Sequence, residues 1–252
     1  MAEIITLAWL FGVPTLVIFP VSRDWLKRRV FIGGSFNPNS RRHLILLALI
    51  LTYHAAIMIS ALAGTVTVPD EPTPIDTGRL AVSVLMWLGL CFALIGLGTG
   101  RTPGDAARRL GFTRPTAIKP MVQESAIILA ILIPLSALIG WLAQSANPDL
   151  LSIQVAYDSI FIVFAVALST AVVEETLYRG AIQPALGNIS TSALFALAHG
   201  LYFGFFPALL LMFVFALALG YLRSHYNSVL PAIGVHFLFN ALPLAAGLLI
   251  AV

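Results

Sequence analysis

Charge is scarce in this sequence. Asp, Glu, Lys and Arg make up 10% of its 252 residues, while 59% are hydrophobic. Soluble proteins average about 25% charged and about 45–50% apolar residues. A soluble domain with so few charges could not cover its surface. The composition therefore disfavours ordinary soluble enzymes, disordered tails and nucleic-acid-binding proteins, despite a net charge of +3. It is typical of a protein that crosses a membrane several times.

Cysteine is nearly absent as well. Cys91 is the only one, and it lies within an apolar run. An intrachain disulfide is therefore excluded. A reactive thiolate needs an electropositive or histidine-paired setting, and no polar residue flanks Cys91. We predict that it is a small buried hydrophobe.

Apolar segments long enough to span a bilayer recur along the chain. We predict an all-α, polytopic fold with about eight membrane-spanning helices that enclose a polar cavity near the cytoplasmic side. The predicted spans are residues 4–20, 43–65, 80–98, 122–143, 155–178, 190–203, 205–221 and 229–251. Glu3 precedes the first span in place of a basic segment, and the span has no cleavage site, so it is predicted to be a retained anchor.

The basic residues predict the orientation. In this arrangement, 13 of the 14 Lys and Arg residues fall on one side, most of them in loops 21–42 and 99–121, and only Arg79 falls on the other. Cytoplasmic loops are enriched in Lys and Arg. We therefore predict cytoplasmic basic loops and both termini outside. Within loop 99–121, residues Asp105 to Phe112 are predicted to form a short helix on the membrane surface.

Polar residues inside the predicted spans are concentrated in the second half of the chain. Ionisable groups in hydrocarbon are costly and are functional candidates by default. Three separate spans place them at a similar depth below the basic side, roughly 7–13 Å at 1.5 Å per residue. This distribution predicts the polar cavity. Its candidate residues are Glu174, Glu175, Arg179, His199, His236 and Asn240.

The spacing of these residues predicts which of them share a helix face. Glu175 and Arg179 are at i and i+4 and can pair. His236 and Asn240 have the same spacing, as do Phe195 and His199. Glu174 lies about 100° around the helix from Glu175, so the two carboxylates need not have the same role.

Three short motifs give the sequence a family resemblance. Glu174-Glu175-Thr-Leu-Tyr-Arg179 resembles the EExxxR motif of the CPBP family, which includes the type II CAAX prenyl proteases and bacteriocin-processing, ABI-like relatives. Phe195-Ala-Leu-Ala-His199 and His236-Phe-Leu-Phe-Asn240 resemble its FxxxH and HxxxN motifs. The resemblance implies a catalytic domain over residues 151–252. Residues 1–150 are predicted to form N-terminal transmembrane helices without a recognised motif.

The resemblance also implies residue roles. Glu174 and His199 would activate a water for peptide-bond cleavage, and Glu175 and Arg179 would support them. His236 and Asn240 would stabilise the oxyanion, and Phe195 would line the substrate pocket. The substrate would be a membrane-anchored peptide or a lipidated, CAAX-like protein. No nucleic-acid partner is expected, and the lipid bilayer is the expected surrounding.

General chemistry allows the same reaction with or without a metal. Amide hydrolysis needs a base for water, donors for the oxyanion and an acid for the leaving amine, which these side chains could supply. A zinc site would use Glu174, His199 and His236. We favour the reaction without a metal because the sequence has no HExxH motif, and the cofactor stays undecided.

Two other functions stay open. A bacteriocin self-immunity protein could keep the motifs only as structure, and a proton-coupled transporter could use Glu174 and Glu175 as its proton site. Transporters usually show inverted repeats and broken helices near the middle of the membrane. The polar residues here lie on one side and in one half of the chain, which favours a peptidase.

Overall fold

The computed structural model describes residues 20–31, 33–37, 39–62, 73–95, 100–146, 155–156, 159–203 and 206–250. The first predicted span, apart from its last residue, and both termini lie outside this part. The α-helices are α1 (Pro20–Arg29), α2 (Arg41–Leu62), α3 (Thr77–Leu94), α4 (Pro103–Leu110), α5 (Ile118–Ala146), α6 (Ile160–Glu175), α7 (Gln183–Leu186), α8 (Asn188–Phe203), α9 (Phe206–His225) and α10 (Leu230–Ile250). A π-helix, Thr176–Ile182, links α6 to α7, and β1 (Thr73–Pro74) pairs in parallel with β2 (Val155–Ala156). The predicted all-α class is confirmed for the described residues.

Four described helical stretches are long and apolar enough to cross a membrane. They are Thr77–Leu94, Ile118–Ala143, Ile160–Leu186 and Pro207–His225. Large apolar side chains on them face outward, such as Leu85, which is 71% exposed. Lipid accommodates such a surface, whereas monomeric soluble proteins rarely expose large apolar patches. The chain is an integral membrane protein, and the count of about eight spans stays a prediction.

Contacts between α-carbon atoms divide the chain into two compact units. The first comprises residues 1–67 and 182–217, and the second comprises residues 68–181 and 218–252. Each unit contains residues that are distant in sequence, so tertiary contacts assemble both.

In the first unit, the segment after α1 pairs with α7. The Ser35 and Phe36 amides donate to the carbonyls of Pro184 and Ala185, both at 2.9 Å. Gly34 permits this approach, because a β-carbon there would collide with the Ala185 carbonyl. The same unit packs α2 against α8, and α8 carries the FxxxH motif.

In the second unit, α10 packs against α5 and α6, and α3 packs against α6. The α6–α10 contact includes a small apolar core of Ala171, Val229 and Ile233, bordered by Phe112. These contacts bring the EExxxR and HxxxN segments together, although they are far apart along the chain.

Helix α4 confirms the short helix that was predicted in loop 99–121. Thr102 caps its N-terminus by accepting from the Asp105 amide at 3.2 Å, and Pro103 suits the first turn. Gly111 ends it with φ +91°, in the left-handed region that glycine adopts most readily. The helix begins and ends two residues earlier than predicted because these capping residues set its limits.

Candidate functional site

A π-helix carries part of the EExxxR motif. Helix α6 ends at Glu175, and the following residues, Thr176–Ile182, form the wider helix that contains Arg179. π-Helical segments are rare in proteins, and those that occur often lie at functional sites. The residue pattern of this segment predicts an ordinary α-helix, so the π-helix was not predicted.

The Glu175 carboxylate has two cationic or hydrogen-bonding neighbours. Its Oε2 lies 3.2 Å from Nε of Arg179, and both side chains are fully buried. Its Oε1 lies 2.8 Å from Nδ1 of His236, whose side chain is also buried. The predicted Glu175–Arg179 pair is therefore confirmed. The hydrogen bond to His236 was not predicted.

The hydrogen bond to Glu175 orients the His236 ring. A carboxylate only accepts hydrogen bonds, so Nδ1 of His236 must carry the proton and donate it. In the neutral ring this leaves a lone pair on Nε2, and in the protonated ring Nε2 is a second donor. Glu175 thus determines both the orientation and the tautomer of this imidazole.

The remaining motif residues of the second unit lie beside this group. Glu174 is half-buried and is close enough to Arg179 for their opposite charges to attract each other. Asn240 is also half-buried and lies one turn after His236 on α10. We refer to Glu174, Glu175, Arg179, His236 and Asn240 as the motif cluster.

The FxxxH motif belongs to the first unit. The rings of Phe195 and His199 stack with centroids 4.2 Å apart. Nδ1 of His199 lies 2.8 Å from the Phe195 carbonyl, which only accepts hydrogen bonds. This nitrogen therefore carries the proton, and in the neutral ring the lone pair is on Nε2.

His54 is a neighbour of His199 that sequence reasoning did not connect to the site. It is buried on α2, its Nδ1 lies 2.7 Å from the Ile50 carbonyl, and it is close enough to His199 for an electrostatic interaction. His54 lies 145 residues before His199 in the chain, so no local sequence pattern indicates that the two side chains are close.

Arg109 and Gly180 connect α4 directly to the π-helix. The Arg109 guanidinium donates to the Gly180 carbonyl at 3.1 Å. A β-carbon at Gly180 would lie 2.8 Å from the Leu110 carbonyl oxygen, closer than packed atoms allow. Glycine therefore lets the two helices touch next to Arg179. The sequence signal was a glycine directly after the EExxxR motif.

The comparisons with known proteins agree with the motif analysis. The family model described as type II CAAX prenyl endopeptidase Rce1-like matches residues 156–242. No curated protein and no solved structure matches the chain.

The protein is an integral membrane protein whose motif cluster has a buried acid and a buried arginine on the candidate membrane-spanning stretch Ile160–Leu186 and a buried imidazole on the shorter apolar helix Leu230–Ala246. Residues 156–242 match a type II CAAX prenyl endopeptidase Rce1-like domain, in agreement with the predicted CPBP family. The predicted family resemblance is confirmed. The matched residues lie within the predicted catalytic domain of residues 151–252, whose boundary stays a prediction.

Proposed function

We propose that this protein is an intramembrane endopeptidase that cleaves a membrane-anchored or lipidated polypeptide with a water activated by Glu174 and His199. The observation that supports this most is the Glu175 carboxylate between Arg179 and His236 in the domain that matches the prenyl endopeptidases. Burying three such groups is costly unless they are paired, and a buried imidazole with a defined tautomer is useful in amide hydrolysis.

In this proposal, Glu174 takes the proton from the attacking water and His199 helps to position that water. Nε2 is the nitrogen of His199 that can accept, because Nδ1 donates to the Phe195 carbonyl. The stacked Phe195 ring orients His199, and in this proposal it would also line the pocket for the substrate. The proton taken by Glu174 would then pass to the leaving amine.

His236 and Asn240 would stabilise the oxyanion. His236 can donate from Nε2 only when its ring is protonated, since Nδ1 is already committed to Glu175. A hydrogen bond from His236, with one from the side-chain amide of Asn240, would stabilise the negative oxygen of the tetrahedral intermediate.

A metal-dependent reaction is the second form of this proposal. Glu174, His199 and His236 would be the ligands, and Glu175 would orient His236 through Nδ1, as carboxylates commonly do behind metal-bound histidines. A bound zinc ion would supply Lewis-acid activation of the water. Among the described residues, no group of three or more His, Cys, Asp or Glu side chains is placed to hold a metal ion. Elemental analysis of the purified protein, with activity measured after chelation, separates the two forms.

The substrate class follows from the family and from the membrane location. A peptide with a lipid-modified C-terminal segment, or a membrane-anchored precursor peptide, would reach the motif cluster from the bilayer. The proposed active site opens on the cytoplasmic side, with both termini outside. Cysteine labelling at positions 25 and 73 tests this orientation, because the two positions are predicted on opposite sides.

The Glu174→Gln variant tests the proposed function. We expect peptide cleavage in proteoliposomes to fall by at least about a hundredfold, the usual contribution of a general base. Internally quenched peptides with and without a C-terminal lipid serve as substrates, and cleavage is followed by fluorescence and mass spectrometry.

Glu124→Gln is the matched control, because Glu124 is another half-buried acid on a membrane-spanning helix outside the motifs. It should cleave at the wild-type rate, and both variants should elute as folded protein. Wild-type turnover in Glu174→Gln would exclude Glu174 as the base. If wild-type protein cleaves none of the peptides, the non-catalytic immunity alternative becomes the better description.

A further inference from the structure

Three arginines gather in the second unit, at a place that the proposed cleavage does not use. Arg101 precedes α4, Arg109 lies in its last turn, and Arg223 lies near the end of α9. Burial lowers the pKa of the Arg109 guanidinium, and the positive charges of Arg101 and Arg223 lower it further. The three side chains are half-buried, and Arg109 is close enough to the other two for their positive charges to repel it. We call them the arginine cluster.

Glycine at position 111 leaves room for the Arg223 guanidinium at the end of α4. A β-carbon at Gly111 would lie 2.7 Å from both Cζ and Nε of Arg223, so only glycine lets the guanidinium lie here. Two hydrogen bonds join the segment after α4 to the segment after α9. The Val229 amide donates to the Gly111 carbonyl at 2.8 Å, and the Thr113 hydroxyl donates to the Asn227 carbonyl at 2.5 Å.

The partners of the arginine cluster are few and neutral. Arg101 donates to the Ile95 carbonyl, Arg109 donates to the Gly180 carbonyl, and Arg223 donates weakly to the Asn227 side chain at 3.4 Å. Nε of Arg223 is buried and has no hydrogen-bond partner within the described residues.

No described carboxylate forms an ion pair with any member of the arginine cluster. Neighbouring Arg108 differs, because it is exposed and pairs with Asp105. The negative C-terminal end of α4 favours nearby cations, yet this effect applies equally to Arg108. It does not explain why three unpaired guanidinium groups are brought together and partly removed from water.

A phosphate group would supply the anionic partner that the arginine cluster lacks among the described residues. Its oxygens accept paired hydrogen bonds from planar guanidinium groups, and its charge would offset their mutual repulsion. Arg223 lies at the end of the membrane-spanning stretch Pro207–His225, where headgroups are located. We propose that Arg101, Arg109 and Arg223 bind the phosphate of an anionic phospholipid headgroup. This inference does not depend on the proposed peptidase activity, because its measurement is lipid binding.

The test measures lipid binding by the purified full-length protein in detergent. Phosphatidylglycerol, phosphatidylcholine and inorganic phosphate are titrated separately, while the melting temperature and the bound mass are followed by fluorescence and native mass spectrometry. We expect phosphatidylglycerol to raise the melting temperature more than the other two. Arg101→Gln and Arg223→Gln should each weaken phosphatidylglycerol binding by about tenfold, the loss expected for one charge-assisted hydrogen bond.

Arg108→Gln is the matched control, because it removes an equal charge from the same helix turn and should bind like wild type. Arg109→Lys keeps the charge but removes the paired donors, and it should weaken binding by less than Arg223→Gln does. If Arg108→Gln loses as much affinity as Arg223→Gln, or if the two lipids bind equally, the arginine cluster is not a headgroup site. If inorganic phosphate stabilises the protein as much as phosphatidylglycerol, the lipid is not the source of the anion.

Discussion

Two carboxylate–arginine pairs in this protein share a local design and differ in surroundings. Asp76 and Arg79 form an ion pair at 3.3 Å across one helical turn, with side chains 58% and 90% exposed. Glu175 and Arg179 form an ion pair at 3.2 Å across one turn, with both side chains 0% exposed. Sequence spacing places the partners together in both cases, and burial is the main difference between the two pairs.

This difference changes what each pair contributes. Water screens the exposed pair, and such pairs contribute about 0–1 kcal/mol. The buried pair is removed from water. If one partner is lost, water cannot replace it, and the other side chain stays buried with an uncompensated charge. The buried pair also binds His236, which ties it to a second helix. The exposed pair serves its own helix only, because Asp76 caps α3 by accepting from the Arg79 amide at 3.0 Å.

The largest expected effect is that of Glu175→Gln. It removes the carboxylate that forms the buried ion pair with Arg179, so we expect a loss of about 3–5 kcal/mol in stability. Thermal unfolding in detergent measures it, and Asp76→Asn is the control with a much smaller shift. The double variant Glu175→Gln/Arg179→Gln should be less destabilised than the sum of the two single variants, because the partners are coupled. Additive losses would show that burial does not couple them.

Gly180→Ala should have the next largest effect. Its β-carbon would lie 2.8 Å from the Leu110 carbonyl, so α4 must move away from the π-helix, at a cost of about 1–3 kcal/mol. Gly234→Ala on α10 is the control, since a β-carbon there meets nothing within 4 Å. It should stabilise the protein by up to about 1 kcal/mol through helix propensity. Equal melting temperatures for the two variants would contradict the close contact between α4 and the π-helix.

Two substitutions separate the contribution of the helix cap from that of the ion pair between Asp76 and Arg79. Asp76→Ala removes both the cap and the ion pair and should cost about 1 kcal/mol. Arg79→Ala removes only the ion pair and should cost less than about 1 kcal/mol. Unfolding in low and high salt completes the measurement, because salt should weaken only the ion-pair contribution. A cost for Arg79→Ala as large as that for Glu175→Gln would end the distinction between the two pairs.

The smallest expected effect is a pH dependence at the exposed end of α4. Hydrogen bonding from Thr102, and then from Arg108, lowers the pKa of Asp105 below its ordinary value of 3.8. A depressed folded-state pKa gives stability that is present above the unfolded value and is lost as pH falls through the folded value. At pH values below about 4, the melting temperature of wild type should therefore decrease by slightly more than that of Asp105→Asn. Identical profiles would show that this carboxylate does not contribute.

Much of the site could be predicted from local spacing. Glu175 and Arg179 are four residues apart, and a helix of either type brings them near each other. The cap of α4 was not identified in advance, although Thr102, Pro103 and Gly111 are standard signals for such a helix. The three family motifs were recognisable from the sequence, and all of them lie within residues 156–242, the range that matches the family model.

The contacts between distant segments could not be predicted. The His236–Glu175 hydrogen bond joins residues 61 positions apart, and no periodicity reports it. The approach of Gly180 to Leu110 and of Gly111 to Arg223 depends on how helices pack. The π-helix was equally hidden, because its residues are ordinary helix formers and one hydrogen-bond register separates it from an α-helix.

By itself, the sequence determined that this chain enters a membrane and that a few polar residues lie within its apolar segments. Scarce charge and long apolar runs require helices, since lipid cannot satisfy exposed backbone groups. Tertiary structure alone decided which of the polar groups meet across different helices and which side chains are removed from water. Those properties depend on contacts between helices, and the free energy of a charge depends on the atoms that surround it more than on its place in the chain.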